Sequence, residues 1–272
     1  MSSVKLLLRP FAKCVIPRRS IHSGGVLRAS VEQQEEAATQ RAERTMTRFW
    51  KRAGIKEEND SVTVVLDQRN LRTPSKNIVK FPARQRELAL LTAAEWDAQT
   101  KNLKAHTLPL TSIVARAIDA FDPAHTEDPT VRSAVIDKLM LYFDTDAICY
   151  HEEFPEILTK LQDSYWKPII DWAEETYHVK INTTTDIFAV SQPEETKAKF
   201  KAIIEDMNPL ELAAFEKAVM SSKSFLIGFA LIQKGISVEH AAQAAHVEMN
   251  AQMDRWGEVE DSEYSIANKY LI

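Results

Sequence analysis

Val62-Thr63-Val64-Val65-Leu66-Asp67-Gln68-Arg69-Asn70-Leu71-Arg72-Thr73-Pro74 is rich in β-branched residues and broken by turn formers. With Ile78-Val79-Lys80-Phe81-Pro82 it reads as three short strands in a meander, turning at Gln68-Arg69-Asn70. Pro74 has no N–H to give a ladder and is expected at a strand end. Outward from this sheet the period changes. Beyond Pro82, Leu88, Leu91 and Trp96 recur among Arg84, Glu87, Ala89, Ala93 and Glu95, the pattern of a helix laid over one face of the strands. A second helical segment, Leu110 to Phe121, follows Pro109, and Phe49-Trp50 opens the fold upstream. Residues 48–122 are therefore expected to form a small N-terminal α+β domain.

Asp122-Pro123-Ala124-His125-Thr126-Glu127-Asp128-Pro129 is dense in turn formers and reads as a boundary, with residues 123–272 a second, helical domain. Val131, Val135, Leu139 and Tyr142-Phe143 form one core-facing stripe, and Leu158, Leu161, Tyr165, Ile169 and Trp172 another. Pro168 should interrupt the second helix, because proline lacks the helical donor and clashes with the preceding turn. Val179-Lys180-Ile181 and Ile187-Phe188-Ala189-Val190 suit extended connectors. Helices are expected from Pro193 and from Asn208-Pro209, the latter running to Lys234 with Gly235 as its stop. Phe225 to Ile232 is apolar all round and belongs at the bundle centre. Ser237 should cap one last helix carrying Val238, Ala242, Ala245, Met249, Met253 and Trp256 on a single face, its Met249, Met253 and Trp256 read as core in preference to a ligand groove, methionine serving both.

Charge separates the first residues from the rest. Residues 1–31 hold Lys5, Arg9, Lys13, Arg18, Arg19 and Arg28, no Asp or Glu, and interleaved apolar and serine residues, the composition of a mitochondrial transit peptide. Residues 32–47 read as a polar helical linker. Without those six of its 34 basic residues the 272-residue chain keeps 28 against 39 acidic ones, a formal charge near −11. No basic footprint remains for nucleic acid, and an acidic protein suits a basic protein surface instead. Cys14 lies in the leader, so Cys149 is alone afterwards and no internal disulfide can form. The longest apolar run, Phe225 to Ile232, falls far below the ~20 residues of a membrane span.

Catalytic motifs are missing. The six glycines form neither a Walker loop nor GxGxxG, and there is no GxSxG, HExxH or EF-hand pattern. Asp144-Thr145-Asp146-Ala147-Ile148-Cys149-Tyr150-His151-Glu152-Glu153 gathers carboxylates, a thiol and an imidazole, from which a soluble mitochondrial enzyme could build a metal or nucleophile site. The structural alternative has Cys149 buried as a small hydrophobe and the carboxylates capping or exposed. His240, His246 and Glu248 read as a solvated helical face. No enzyme activity, cofactor, metal or catalytic residue is expected.

Leu66-Asp67-Gln68-Arg69-Asn70-Leu71-Arg72-Thr73-Pro74 and Ala94-Glu95-Trp96-Asp97-Ala98-Gln99 resemble the mitochondrial and proteobacterial assembly chaperones of the ATP synthase catalytic head that bind its alpha subunit. The resemblance continues through Leu108-Pro109-Leu110-Thr111, Ala117-Ile118-Asp119, Phe143 to Tyr150, Gln162 with Trp166 to Trp172, and Arg255-Trp256-Gly257-Glu258-Val259-Glu260. It departs locally at Gln68 and Lys167. The resemblance implies an α+β fold whose small sheet-plus-helix domain precedes an all-α orthogonal helical bundle. It also implies an ATP-independent chaperone of the mitochondrial matrix that holds free alpha subunit until the alpha/beta hexamer forms. On the same ground Glu258 and Glu260, with Asp144 and Asp146, are expected to contact the partner, and Trp96 and Trp172 to be scaffold.

Overall fold

A computed structural model describes residues 47–126, 128–186 and 191–257. The expected leader, the linker apart from Thr47, the connector at 187–190, Glu258 and Glu260 lie outside the described residues.

Four antiparallel strands form the sheet, β1 (Ala53–Glu58), β2 (Ser61–Leu66), β3 (Arg69–Asn70) and β4 (Lys80–Pro82), and β2 pairs with all three others. Ala53 to Glu58 lies opposite Leu66 to Ser61, while Val65–Leu66 pairs with Asn70–Arg69 and Ser61–Thr63 with Pro82–Lys80. β2 is central because Val62, Thr63, Val64 and Leu66 are buried. The meander thus has one strand more than the sequence suggested. Ala53-Gly54-Ile55-Lys56-Glu57-Glu58 has one large apolar residue and no alternation, so register with β2, not its own pattern, holds it. The expected strand at Leu71–Pro74 shrinks to a bridge between Arg72 and Ile78, because Thr73 to Asn77 closes into a turn, with Lys76 at φ 68°.

α1 (Arg86–Asp97) packs on β1 and β2 as expected, but through the small residues Ala89, Thr92 and Ala93; Leu91 is 59% exposed. α2 (Pro109–Arg116) runs into a π-helical turn at Ala117–Phe121. Helices fill the remainder: α3 (Thr130–Asp144), α4 (Glu156–Tyr165), α5 (Lys167–Tyr177), α6 (Glu194–Asp206), α7 (Pro209–Ser222), α8 (Phe225–Ile232), α9 (Val238–Ala245) and α10 (Val247–Trp256). A small sheet with a helix, followed by a helical bundle, is the α+β class anticipated. Pro168 interrupts as expected, standing in the first turn of α5 after a break at Trp166.

Two helices read as continuous are divided. Lys223 turns left-handed at φ 59° and Ser224 caps α8, its hydroxyl accepting from the Ile227 N–H, so the helix from Pro209 ends at Ser222. His246, at φ −111°, separates α9 from α10. α8 is the hub. Phe225 and Phe229 meet Phe143, Phe200 and Phe215 at centroid distances of 5.0–6.1 Å. Gly228 lets α7 approach, since a Cβ there would stand 2.9 Å from Val219 Cγ2.

Among the described residues, Thr47, Arg48 and Thr100–Lys104 form a small unit, in which Thr47 bridges Asn102 and Arg48 N–H donates to the Lys101 carbonyl. The rest form one larger compact unit.

Candidate functional site

The segments that carried the family resemblance are wired to one another. Glu95 reaches from α1 to cap α2, its carboxylate accepting from the N–H groups of Leu110 (2.6 Å) and Thr111 (2.8 Å), donors that have no partner inside a helix. Next to it, Trp96 Nε1 donates to Thr111 Oγ1 at 2.9 Å and the indole lies 5.1 Å from that of Trp50. Asp119, in the π-helical turn, accepts from Thr73 Oγ1 (2.6 Å), Asn77 Nδ2 (2.9 Å) and Ser75 N–H (3.2 Å), tying the turn after β3 to the helices. Partial burial raises its pKa, but these donors outweigh that and hold the carboxyl below its usual range.

Asp146 is enclosed. Its Oδ2 accepts from Leu226 N–H at 2.8 Å and its Oδ1 from Ile148 N–H at 3.3 Å, so it helps Ser224 to cap the central helix α8. Burial pushes its pKa up to about 6 against the opposing hydrogen bonds. In this arrangement the carboxylate faces inward and presents no oxygen to a partner. Asp144 is half-buried, with Lys197 Nζ at 3.1 Å and the Gln192 N–H donating to it at 3.4 Å. Trp172 sits edge-on to Tyr177 at 5.7 Å and against Gly235, where a Cβ would come 2.2 Å from the indole.

No nucleophile emerges from Asp144 to Glu153. Cys149 is buried, as expected of a small hydrophobe, and its thiol pKa is raised by burial and then by Asp146, with only the Gln192 amide opposing. His151 turns Nε2 to the Ile148 carbonyl at 3.0 Å. Among the described residues no three His, Cys, Asp or Glu side chains are grouped to hold a metal ion, and no helix is long and apolar enough to cross a membrane. His240 and His246 each meet a backbone carbonyl, of Tyr165 (3.0 Å) and Ala242 (2.7 Å).

Two surface features of the described residues bear on binding. One is a groove of about 300 Å³ between α2 and α7, lined by Ile113, Ala213 and Met220 and edged by the two-pronged Arg116–Glu216 ion pair, both contacts 2.9 Å. The other corrects the sequence reading. Met249, Met253 and Trp256 do not face the core; they are 39%, 37% and 69% exposed, while Val247 and Ala251 turn inward, as Ala241 and Ala244 do on α9. The alanines gave the signal, since small residues let helices approach closely and leave the larger side chains of the same helix outside. Arg255 lays its guanidinium 5.0 Å from the centre of the Trp256 ring.

Comparison with known proteins places this architecture. A family profile described as ATP12 chaperone protein matches residues 47–174. The mitochondrial protein atp12 of Schizosaccharomyces pombe is 34% identical over 231 residues, 82% of this chain and 78% of its own length. The mitochondrial protein ATP12 of Saccharomyces cerevisiae is 28% identical over 269 residues, 86% of this chain and 83% of its own. The crystal structure of Atp12 from Paracoccus denitrificans superposes with a TM-score of 0.69 at 30% identity, covering 82% of this chain and 92% of that one.

Proposed function

This chain belongs to the ATP12 chaperone family, and from that premise we propose that it is an ATP-independent assembly chaperone for the alpha subunit of the mitochondrial ATP synthase catalytic head. It binds the free subunit and prevents aggregation until the alpha/beta hexamer forms. The observation that carries this reading is the likeness to mitochondrial ATP12 proteins along most of the chain, beside which α10 leaves Trp256 mostly exposed and Met249 and Met253 partly so. An unassembled ring subunit exposes contiguous apolar surface, which favours aggregation. A chaperone with its own exposed apolar face can cover it transiently. Release then requires only that the proper neighbour bind more favourably, so nucleotide hydrolysis by the chaperone is unnecessary.

Within this reading Glu258, Glu260 and Asp144 are partner contacts, Asp146 holds α8 from inside, and Trp96 and Trp172 are scaffold. Residues 1–31 deliver the protein to the matrix. In the segment from Asp144 to Glu153 the thiol is enclosed and the imidazole is turned to a backbone carbonyl.

Expression of the alpha subunit with and without this protein tests the proposal. More soluble alpha is expected in its presence, and equal amounts would overturn the reading. Glu260→Lys should weaken capture of purified alpha subunit in a pull-down while leaving the thermal melt unchanged.

A further inference from the structure

We propose that the outer edge of β1 takes an extended segment of the alpha subunit as an added strand, one carrying an apolar residue and, two positions on, a lysine or arginine. This rests on the chaperone reading above and narrows it to one edge and one backbone shape.

Register fixes which way each peptide group points. Asp67 N–H donates to the Arg52 carbonyl at 2.8 Å, and these two residues continue the β1–β2 pairing. Hydrogen-bonded pairs alternate along an antiparallel ladder, so Gly54, Lys56 and Glu58 also bond to β2, whereas Ala53, Ile55 and Glu57 turn their N–H and C=O groups away from it. Val64, opposite Ile55, agrees: its N–H donates to the Val79 carbonyl and its carbonyl accepts from the Leu71 N–H, both beyond the far side of β2. Asp97 Oδ1 accepts from the Ala53 N–H at 3.0 Å and closes that end of the edge. The outward groups of Ile55 and Glu57 meet no partner among the described residues. Such a row of open ladder groups is the template for strand addition.

α1 supplies a seat for side chains beside that edge. Arg86 at one end reaches Glu57 (2.7 Å) and Asp97 at the other reaches Ala53, so the helix lies along β1. At 3.6 residues per turn, buried Ala89 and Thr92 fall on one side of the line from Arg86 to Asp97, and Leu90, 39% exposed, and exposed Ala94 fall on the other, beyond β1. Exposed Glu87 continues this outer row and has no ion pair among the described residues. The Arg86–Glu57 contact puts Glu57 on the α1 face of the sheet, and Ile55, two residues away, points the same way. A partner residue opposite Ile55 therefore packs under Leu90, and the one opposite Glu57 comes between two carboxylates, Glu57 and Glu87. Apolar and basic side chains suit those two places.

A second copy of the chain fits this edge badly. Ile55 set against Glu57 of another copy brings Lys56 against Lys56, and Glu57 set against Glu57 opposes carboxylates. Ile55 set against Ile55 needs the Ala53 N–H that Asp97 holds.

The test uses the full chain and purified alpha subunit, with amide hydrogen exchange read residue by residue. In the free protein Ile55 and Glu57 should exchange fast beside protected Gly54 and Lys56, and on binding they should slow about tenfold or more. Ile55→Pro removes one outward donor and spares the β1–β2 ladder, proline being tolerated where an edge N–H faces solvent, and should weaken binding about tenfold. Leu90→Gln, at an exposed helical position, should also weaken binding while melting like the unaltered protein. If alpha binds and the Ile55 and Glu57 amides stay fast, the docking edge is refuted and the chaperone reading stands. If the unaltered protein fails to bind alpha, the chaperone reading itself falls. Slow exchange at these amides in the free protein gives the edge to a second copy where dilution abolishes it, and to the chain's own ends where dilution does not. Either result overturns the proposal.

Discussion

Asp146 shows what one residue does when its partners are distant in sequence. It caps α8 through Leu226, 80 positions away, so the resemblance identified the stretch around it but no local pattern could reveal its duty. Asp146→Ala leaves the Leu226 and Ile148 N–H groups buried without an acceptor and should cost about 2–3 kcal/mol in urea unfolding, while Asp146→Asn, which keeps an acceptor, should cost less. The pH dependence follows from a folded pKa of about 6 against about 3.9 unfolded. Folding favours the protonated acid, so this group adds stability as pH falls from about 6 toward 4, loses it as pH rises through that window, and is flat above it. Urea midpoints across this range should show that slope in the unaltered protein and lack its contribution in Asp146→Asn. Gly235 is a steric case. The Gly235→Ala Cβ would collide with the Trp172 indole, and a loss of about 2 kcal/mol is expected.

Elements were legible where size and period agreed. The apolar run of α8, the interruption at Pro168 and the cap at Ser237 all follow from residue type. α7 was also announced by its start, where Asn208 Oδ1 accepts from the Leu210 and Glu211 N–H groups, both at 3.0 Å, and the Glu211 carboxylate accepts in turn from the Asn208 N–H. Asn208→Ala should therefore lower stability by about 1 kcal/mol, measured by thermal or urea melts. Other elements were hidden. The end of α7 at Ser222 rests on a left-handed lysine, a conformation that glycine adopts more readily. β1 exists because β2 offers it a ladder. On α1 and α10 the larger side chains marked the apolar period, yet the structure buries alanines, a threonine and Val247 beside them. Close helix approach reversed the order that hydrophobic size alone suggests.

Across the whole molecule, the recognisable segments act as ties between distant parts, Glu95 to α2 and Asp119 to the turn after β3. That is why their order along the chain was informative about fold while saying little about which surface meets a client. Asp119→Ala should cost about 2 kcal/mol and speed amide exchange both at Ser75 to Val79 and in the π-helical turn, since one carboxylate joins the two. The candidate site was less legible, because it depends on which face of α10 the bundle leaves uncovered, a property of packing. That exposure gives the protein a built-in optical reporter. Of five tryptophans, Trp50 and Trp166 are buried, Trp96 and Trp172 are partly shielded, and Trp256 is the one mostly in water. Acrylamide, a neutral quencher, should quench the Trp256 share of the emission most strongly, and whatever comes to rest on α10 should lessen that quenching and shift the spectrum to the blue, with no label attached.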